Sequence, residues 1–146
     1  FLELAGAYAR YHCPCSRTLF LGSPPQQYLD IENVISECIE NAISMFKPGN
    51  TCAEISDNFT ATLKKYGYEK NNRCGYPIGL SYPPDWGERT MSLRGTDHTI
   101  LQENMTFHFM PAIWFDDWGF EMTESIRVGE NGGECLSKVP RQLLVK

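Results

Sequence analysis

Between Tyr28 and Phe46 the residues Tyr28, Ile31, Val34, Ile35, Cys38, Ile39, Ala42, Ile43 and Phe46 keep an apolar step of three or four. No other feature constrains the fold as tightly. A stripe of this period occupies one side of an α-helix, and something apolar must cover it. Lys47-Pro48-Gly49-Asn50 ends the pattern. Thr51 and Glu54 then form a capping-box signature, in which the Thr hydroxyl serves the backbone N–H three residues on and the Glu carboxylate reaches back. A second helix is expected there, with Ile55, Phe59, Leu63 and Tyr66 about one turn apart and Gly67 closing it in the left-handed conformation.

The flanks read as β-structure. Residues 1–22 carry Tyr8, Tyr11, Thr18, Leu19, Phe20 and Leu21 between Gly6 and Gly22, the pattern of a strand pair bounded by turns, and Ser23-Pro24-Pro25 breaks the chain after it. Residues 73–95, rich in Gly, Pro and aromatic side chains, read as a loop segment that shapes a pocket. From Thr99 onward, Ile100-Leu101, Met105 to Trp114, Trp118 to Val128 and Cys135-Leu136 predict strands, with turns at Asp116-Asp117 and at Glu130-Asn131-Gly132-Gly133. Strands, two helices and strands again make an α+β domain, with two main helices on one face of a mostly antiparallel sheet.

Charge narrows the function. A net charge of -5 and a pI near 5.2, with the thirteen basic residues scattered, disfavour nucleic acid and anionic membrane as partners. No apolar run approaches the ~20 residues needed to cross a bilayer, and no signal peptide is visible at the start, so a cytoplasmic location is expected. The chain opens on Phe1 inside an apparent strand, which predicts native sequence upstream and makes this a fragment. The six cysteines are read as free thiols, because a chain of this length outside the secretory route needs no staples. Cys13-Pro14-Cys15 lacks the second pair that a zinc ribbon requires.

Four anchors then carry a family resemblance. Glu3-Leu4-Ala5-Gly6 through Ser16-Arg17-Thr18 resembles the "D-x-G … T-R-T" strand pair of the creatinase, prolidase, aminopeptidase P and methionine aminopeptidase superfamily. Lys47-Pro48-Gly49 resembles its "K-P-G", Gly75-Tyr76-Pro77-Ile78-Gly79 its "G-H-x-I-G", and Val128-Gly129-Glu130-Asn131-Gly132 its closing "V-T-E-D-G" hairpin. The resemblance implies a partial pita-bread fold with a curved sheet, residues 1–146 forming a C-terminal part of the catalytic domain.

In the metallopeptidases of that superfamily two Asp, one His and two Glu hold a pair of divalent ions, since hard cations need several anionic oxygens and a bridging water. Those positions fall here at Glu3, Pro14, Tyr76, Met110 and about Thr123. One carboxylate remains, so no metal and no other cofactor is expected. Creatinase, of the same superfamily, cleaves C–N bonds without metal. The segments 79–88, 106–111 and 118–124 look closest to ectoine hydrolases, which open a cyclic amidine. The resemblance thus implies a metal-independent C–N hydrolase acting on a small molecule such as ectoine or another cyclic amidine or guanidino compound.

Water addition to an amidine carbon calls for a carboxylate or imidazole to manage the proton, and for aromatic faces and carboxylates around the cationic ring. Glu3, His108, Tyr76 and Glu124 are the catalytic candidates, and His12, Trp86 and Glu88 the substrate-binding ones. Each has a structural alternative: an edge-strand Glu3 facing solvent, satisfied core histidines at His12 and His108, a Tyr76 closing a core hydrogen bond, and a Trp86 capping the core. His98 is expected at the surface. Glu121 and Glu124 should face opposite sides of a strand, and Glu124 is assigned to the site. Two other functions stay open: a pseudoenzyme that binds a small molecule or a protein without turnover, and a Xaa-Pro metallopeptidase. Apolar surface exposed at one side predicts self-association, most simply as a homodimer.

Overall fold

In the computed structural model, which describes residues 1–146, the apolar stripe lies along α1 (Gln26–Ile43) and buries Ile31, Val34, Ile35, Cys38, Ile39 and Ala42. Phe46, just past its end, is fully buried as well. α2 (Cys52–Lys65) begins at the expected box: Thr51 N–H donates to Glu54 Oε2 at 2.7 Å, and Glu54 N–H donates to Thr51 Oγ1 at 3.2 Å. Gly67 follows it with φ +77°, a conformation that costs a residue with a Cβ.

Ten short strands surround the helices: β1 (Leu2–Tyr8), β2 (Tyr11–Arg17), β3 (Leu19–Phe20), β4 (Gly75–Pro77), β5 (Thr106–Phe109), β6 (Ala112–Trp114), β7 (Gly119–Glu121), β8 (Glu124–Gly129), β9 (Gly132–Cys135) and β10 (Leu144–Val145). β4-β5-β8-β9 form an antiparallel sheet, β1-β2 and β6-β7 are hairpins, and β3 pairs in parallel with β10. β2 is stitched to the larger sheet at both ends. His12 N–H donates to Gly79 O and Ser81 N–H to Arg10 O at one end, while Thr123 N–H donates to Ser16 O at the other.

Two expected strands are broken. Pro111 has no N–H to give and divides residues 105–114 into β5 and β6. The stretch 118–128 divides between β7 and β8, because Met122 and Thr123 bond instead to Pro111 and Ser16. Ile100-Leu101 forms only an isolated bridge, from Ile100 to Thr51. β9 starts at Gly132, two residues inside the expected turn. A Cβ on Gly133 would lie 2.6 Å from Ile126 Cγ2 and 2.9 Å from Phe46 Cβ, so glycine lets this strand approach the core.

The core lies between the helices and one face of the larger sheet. Phe109 meets Phe46 and Phe59 at ring-centroid distances of 5.6 and 5.9 Å, and Phe107 packs on Phe46 at 5.7 Å. Each such side chain contributes ~1.5–3 kcal/mol of transfer free energy. Alternation along β5 has a functional consequence: Phe107 and Phe109 point to the helices, so His108 points to the opposite face. All six cysteines are free thiols, and no helix is long and apolar enough to cross a membrane. On the outer face of the β1–β2 hairpin, Leu2, Leu4, Cys13 and Cys15 open onto a mostly apolar groove.

Candidate active site

Antiparallel register puts Glu3 directly opposite Ser16, and Ala7 opposite His12, so these side chains share one face of the β1–β2 hairpin. β5 and β4 supply the facing side chains, since Tyr76 is paired with His108. The two surfaces meet where Glu3 Oε1 comes within 3.9 Å of His108 Nδ1.

His108 is fully buried and uses both ring nitrogens. Nδ1 lies 2.9 Å from the Tyr76 hydroxyl, and Nε2 lies 2.7 Å from Thr123 Oγ1. Trp86 Nε1–H donates to the same Tyr76 oxygen at 2.8 Å, and Ser16 N–H donates to Thr123 Oγ1 at 2.8 Å. Burial pushes the His108 pKa down to about 3, so the ring is a neutral imidazole at physiological pH. Burial also raises the Tyr76 phenol, which therefore holds its proton, and raises the Glu3 carboxyl. Arg73 stacks its guanidinium 4.6 Å from the Tyr76 ring centre.

Trp86 and Glu88 line the cleft that Tyr76 opens onto, a space of about 450 Å³ shared with Arg73, Asp85 and Arg89. Glu88 lies over Gly79, where a Cβ would meet its Oε1 at 2.8 Å. His12 is buried beside Gly79, with Nδ1 3.0 Å from Arg10 O. It stands four residues along the hairpin face from the position opposite Glu3. The structure therefore gathers Glu3, His108, Tyr76 and Trp86 into one connected cluster and leaves His12 and Glu88 at its flank.

Glu124 is placed elsewhere. Thr123 points at His108, so the next side chain points away, and Glu124 Oε1 accepts from Arg17 Nη2 at 2.6 Å in an ion pair shielded from solvent. Arg17 also donates to the carbonyls of Ser16, Thr123, Val139 and Pro140. Burial raises the Glu124 pKa in spite of Arg17, and its Oε2 has no hydrogen-bond partner. This pair fastens the C-terminal segment to β2. Glu121 takes the inward place instead: burial first, and then the charge of Glu3, push its pKa up to about 7. The alternation of Glu121 and Glu124 was visible in the sequence, but nothing there showed which one Arg17 would claim. Thr123 and Ser16, which complete the His108 network, carried no signal beyond their place in the motifs.

The five positions where the metallopeptidases hold cations can be tested on this geometry. Glu3 supplies a carboxylate; the Pro14 carbonyl accepts from Ser125 Oγ at 2.6 Å; the Tyr76 and Thr123 hydroxyls are engaged with His108. Met110 offers a thioether. No group of three or more His, Cys, Asp or Glu side chains gathers at metal-binding spacing. Such a donor set does not fit a pair of hard divalent cations.

Residues 1–131 match metallopeptidase family M24. The chain is 56% identical to an ectoine hydrolase of Halomonas elongata over 147 aligned positions, covering 100% of the chain and 37% of that protein. It is 27% identical to a Xaa-Pro dipeptidase of Pyrococcus furiosus, covering 98% of the chain and 40% of the relative. Among solved structures, an X-Pro aminopeptidase of Thermotoga maritima superposes with a TM-score of 0.88 at 22% identity, covering 99% of the chain and 40% of that protein, which shows the pita-bread fold. The chain thus spans well under half the length of these relatives.

Proposed function

This chain belongs to metallopeptidase family M24, and from that premise we propose that its site serves a hydrolase that opens a cyclic amidine of the ectoine type without a metal ion. The observation that carries the reading is the replacement of cation ligands by a hydrogen-bonded chain, Trp86–Tyr76–His108–Thr123, with the Glu3 carboxylate 3.9 Å from the imidazole. The 56% identity to an ectoine hydrolase supports the substrate class.

Hydrolysis of an amidinium needs three things from the protein. The cation must be held, and the Trp86 face offers ~0.5–2 kcal/mol for such a contact. Water must be activated as it adds to the amidine carbon, and Glu3, the carboxylate nearest the imidazole, takes that proton. A donor must serve the departing nitrogen, and Tyr76, whose phenol stays protonated, stands at the cleft. The water oxygen becomes the carbonyl of an open-chain amide. Both of its protons end on the released nitrogen, which leaves as an ammonium group, so the charge balances.

His12 and Glu88 then bound the far side of the substrate. A homodimer mate or further chain covers the apolar groove on the outer face of β1–β2, the side of the hairpin turned away from Glu3. The likeness to a Xaa-Pro dipeptidase supports a peptidase reading, but the donor set at Pro14, Tyr76, Met110 and Thr123 opposes it. The test is a steady-state comparison of ectoine, hydroxyectoine, creatine and a Xaa-Pro dipeptide in excess manganese, with Glu3→Gln as control. Ring-opened product that Glu3→Gln abolishes supports the proposal. Saturable binding heat without product would make the protein a binder, and dipeptide cleavage would make it a peptidase.

A further inference from the structure

We propose that Thr123 is a positioning residue that fixes His108 as the Nδ1–H tautomer, so that the Tyr76 hydroxyl receives two hydrogen bonds and turns its own hydrogen into the cleft as the proton donor to a bound substrate. The inference rests on the reading of the site as hydrolytic and deepens it by saying how the donor is aimed.

The hydrogens along this chain of bonds can be counted from its two ends. At one end Trp86 Nε1–H can only donate, so the Tyr76 oxygen accepts from it. At the other, Ser16 N–H can only donate, so Thr123 Oγ1 accepts from it. His108 lies between the two hydroxyls and, as a neutral ring, carries one hydrogen. Two arrangements satisfy the distances. If Nε2 holds the hydrogen, it donates to Thr123, Tyr76 donates to Nδ1, and the Thr123 hydroxyl hydrogen is left over. If Nδ1 holds it, Thr123 donates to Nε2, Nδ1–H donates to Tyr76, and the Tyr76 hydrogen is left over.

Burial decides between them. Thr123 is 0% exposed and its hydroxyl has no acceptor within reach other than His108, so a hydrogen left there stays unpaired in the interior. Tyr76 keeps 7% of its surface exposed and lines the cleft with Trp86 and Glu88, so of the two leftover hydrogens only its own can meet water or a substrate nitrogen. Glu3 acts in the same direction, because its carboxylate lies 3.9 Å from Nδ1 and favours the hydrogen on that nitrogen. A threonine at this position therefore does what valine of the same shape cannot: it occupies the Nε2 lone pair with a donor.

Selective ¹⁵N labelling of histidine in the whole protein tests this directly, with the His108 signals assigned by their loss in His108→Gln. The proposal expects Nδ1 in the protonated range and Nε2 in the unprotonated range. The reverse pattern in the wild-type protein overturns it, whatever the activity. Thr123→Val should let the Nε2–H form appear and lower kcat on the order of 10²-fold with KM little changed, the size of a lost general acid, while Thr123→Ser restores both tautomer and rate. If Thr123→Val does not fold, the wild-type and Thr123→Ser spectra still decide. A wild-type Nδ1–H tautomer in a protein that does not turn over ectoine would uphold the tautomer and overturn the donor role together with the hydrolase reading. Turnover with an Nε2–H ring would sink the inference and leave the hydrolase reading standing.

Discussion

Replacing Arg17 by methionine separates a structural carboxylate from a catalytic one. Arg17 and Glu124 meet at 2.6 Å with side chains only 4% and 2% exposed. Removing the guanidinium leaves Glu124 buried without its counter-charge, a change that costs about 3–5 kcal/mol when a buried pair loses one partner. Of the four carbonyls that Arg17 also serves, those of Val139 and Pro140 lie in the partly exposed C-terminal segment, where water can replace the guanidinium, while those of Ser16 and Thr123 are buried. With a urea slope of ~1.5 kcal/mol/M, the midpoint should fall by about 2–3 M. The deficit should depend on pH, because the Glu124 pKa is already raised and rises further without Arg17. A carboxyl whose folded pKa is raised gives stability that is complete below its unfolded pKa and is lost as pH climbs through the folded one. Arg17→Met is therefore least harmful in acid and worst above neutrality. Adding Glu124→Leu should recover most of the loss, and Glu124→Gln should lower stability while leaving kcat within a few-fold. A midpoint shift under about 0.5 M, or a double variant no better than the single one, would refute the assignment. So would a Glu124→Gln protein of normal stability and no activity.

Other consequences follow from individual side chains. Glu121, with its pKa near 7 against a usual 4.5, adds stability that is full below the ordinary carboxyl range and fades as pH passes 7; thermal melts of Glu121→Gln should show a flatter stability profile between pH 5 and 8. Thr51→Ala removes the hydroxyl half of the capping box and should cost about 1 kcal/mol in urea unfolding. Phe109→Ala empties the point where Phe46 and Phe59 converge and should cost ~3–5 kcal/mol; a loss below 1 kcal/mol would show that the three rings do not form the core described.

Local patterns carried the helices into view. The three-and-four spacing of Ile31, Val34, Ile35, Cys38 and Ile39 and the Thr51–Glu54 box depend on neighbours in the chain, so both were legible and both are present. Strand limits depend on distant partners. Thr123 leaves the β6–β7 pairing to bond Ser16, 107 residues away, and no run of side chains announces such a change. The same limit hid the inward role of Glu121: alternation showed that one glutamate would face the site, while the choice was made by Arg17 across the sheet. Tyr76, His108 and Trp86 were legible as polar or aromatic residues in a pocket-forming context. Their connection into one hydrogen-bonded chain required the register of β4 on β5.

Ectoine turnover by protein dialysed against a strong chelator, with residual metal counted by elemental analysis, bears on the account most directly. Undiminished ring opening at far less than one metal ion per site is the predicted result. A rate that collapses on chelation and returns with added manganese or zinc would mean that Glu3 and its neighbours gather a cation after all.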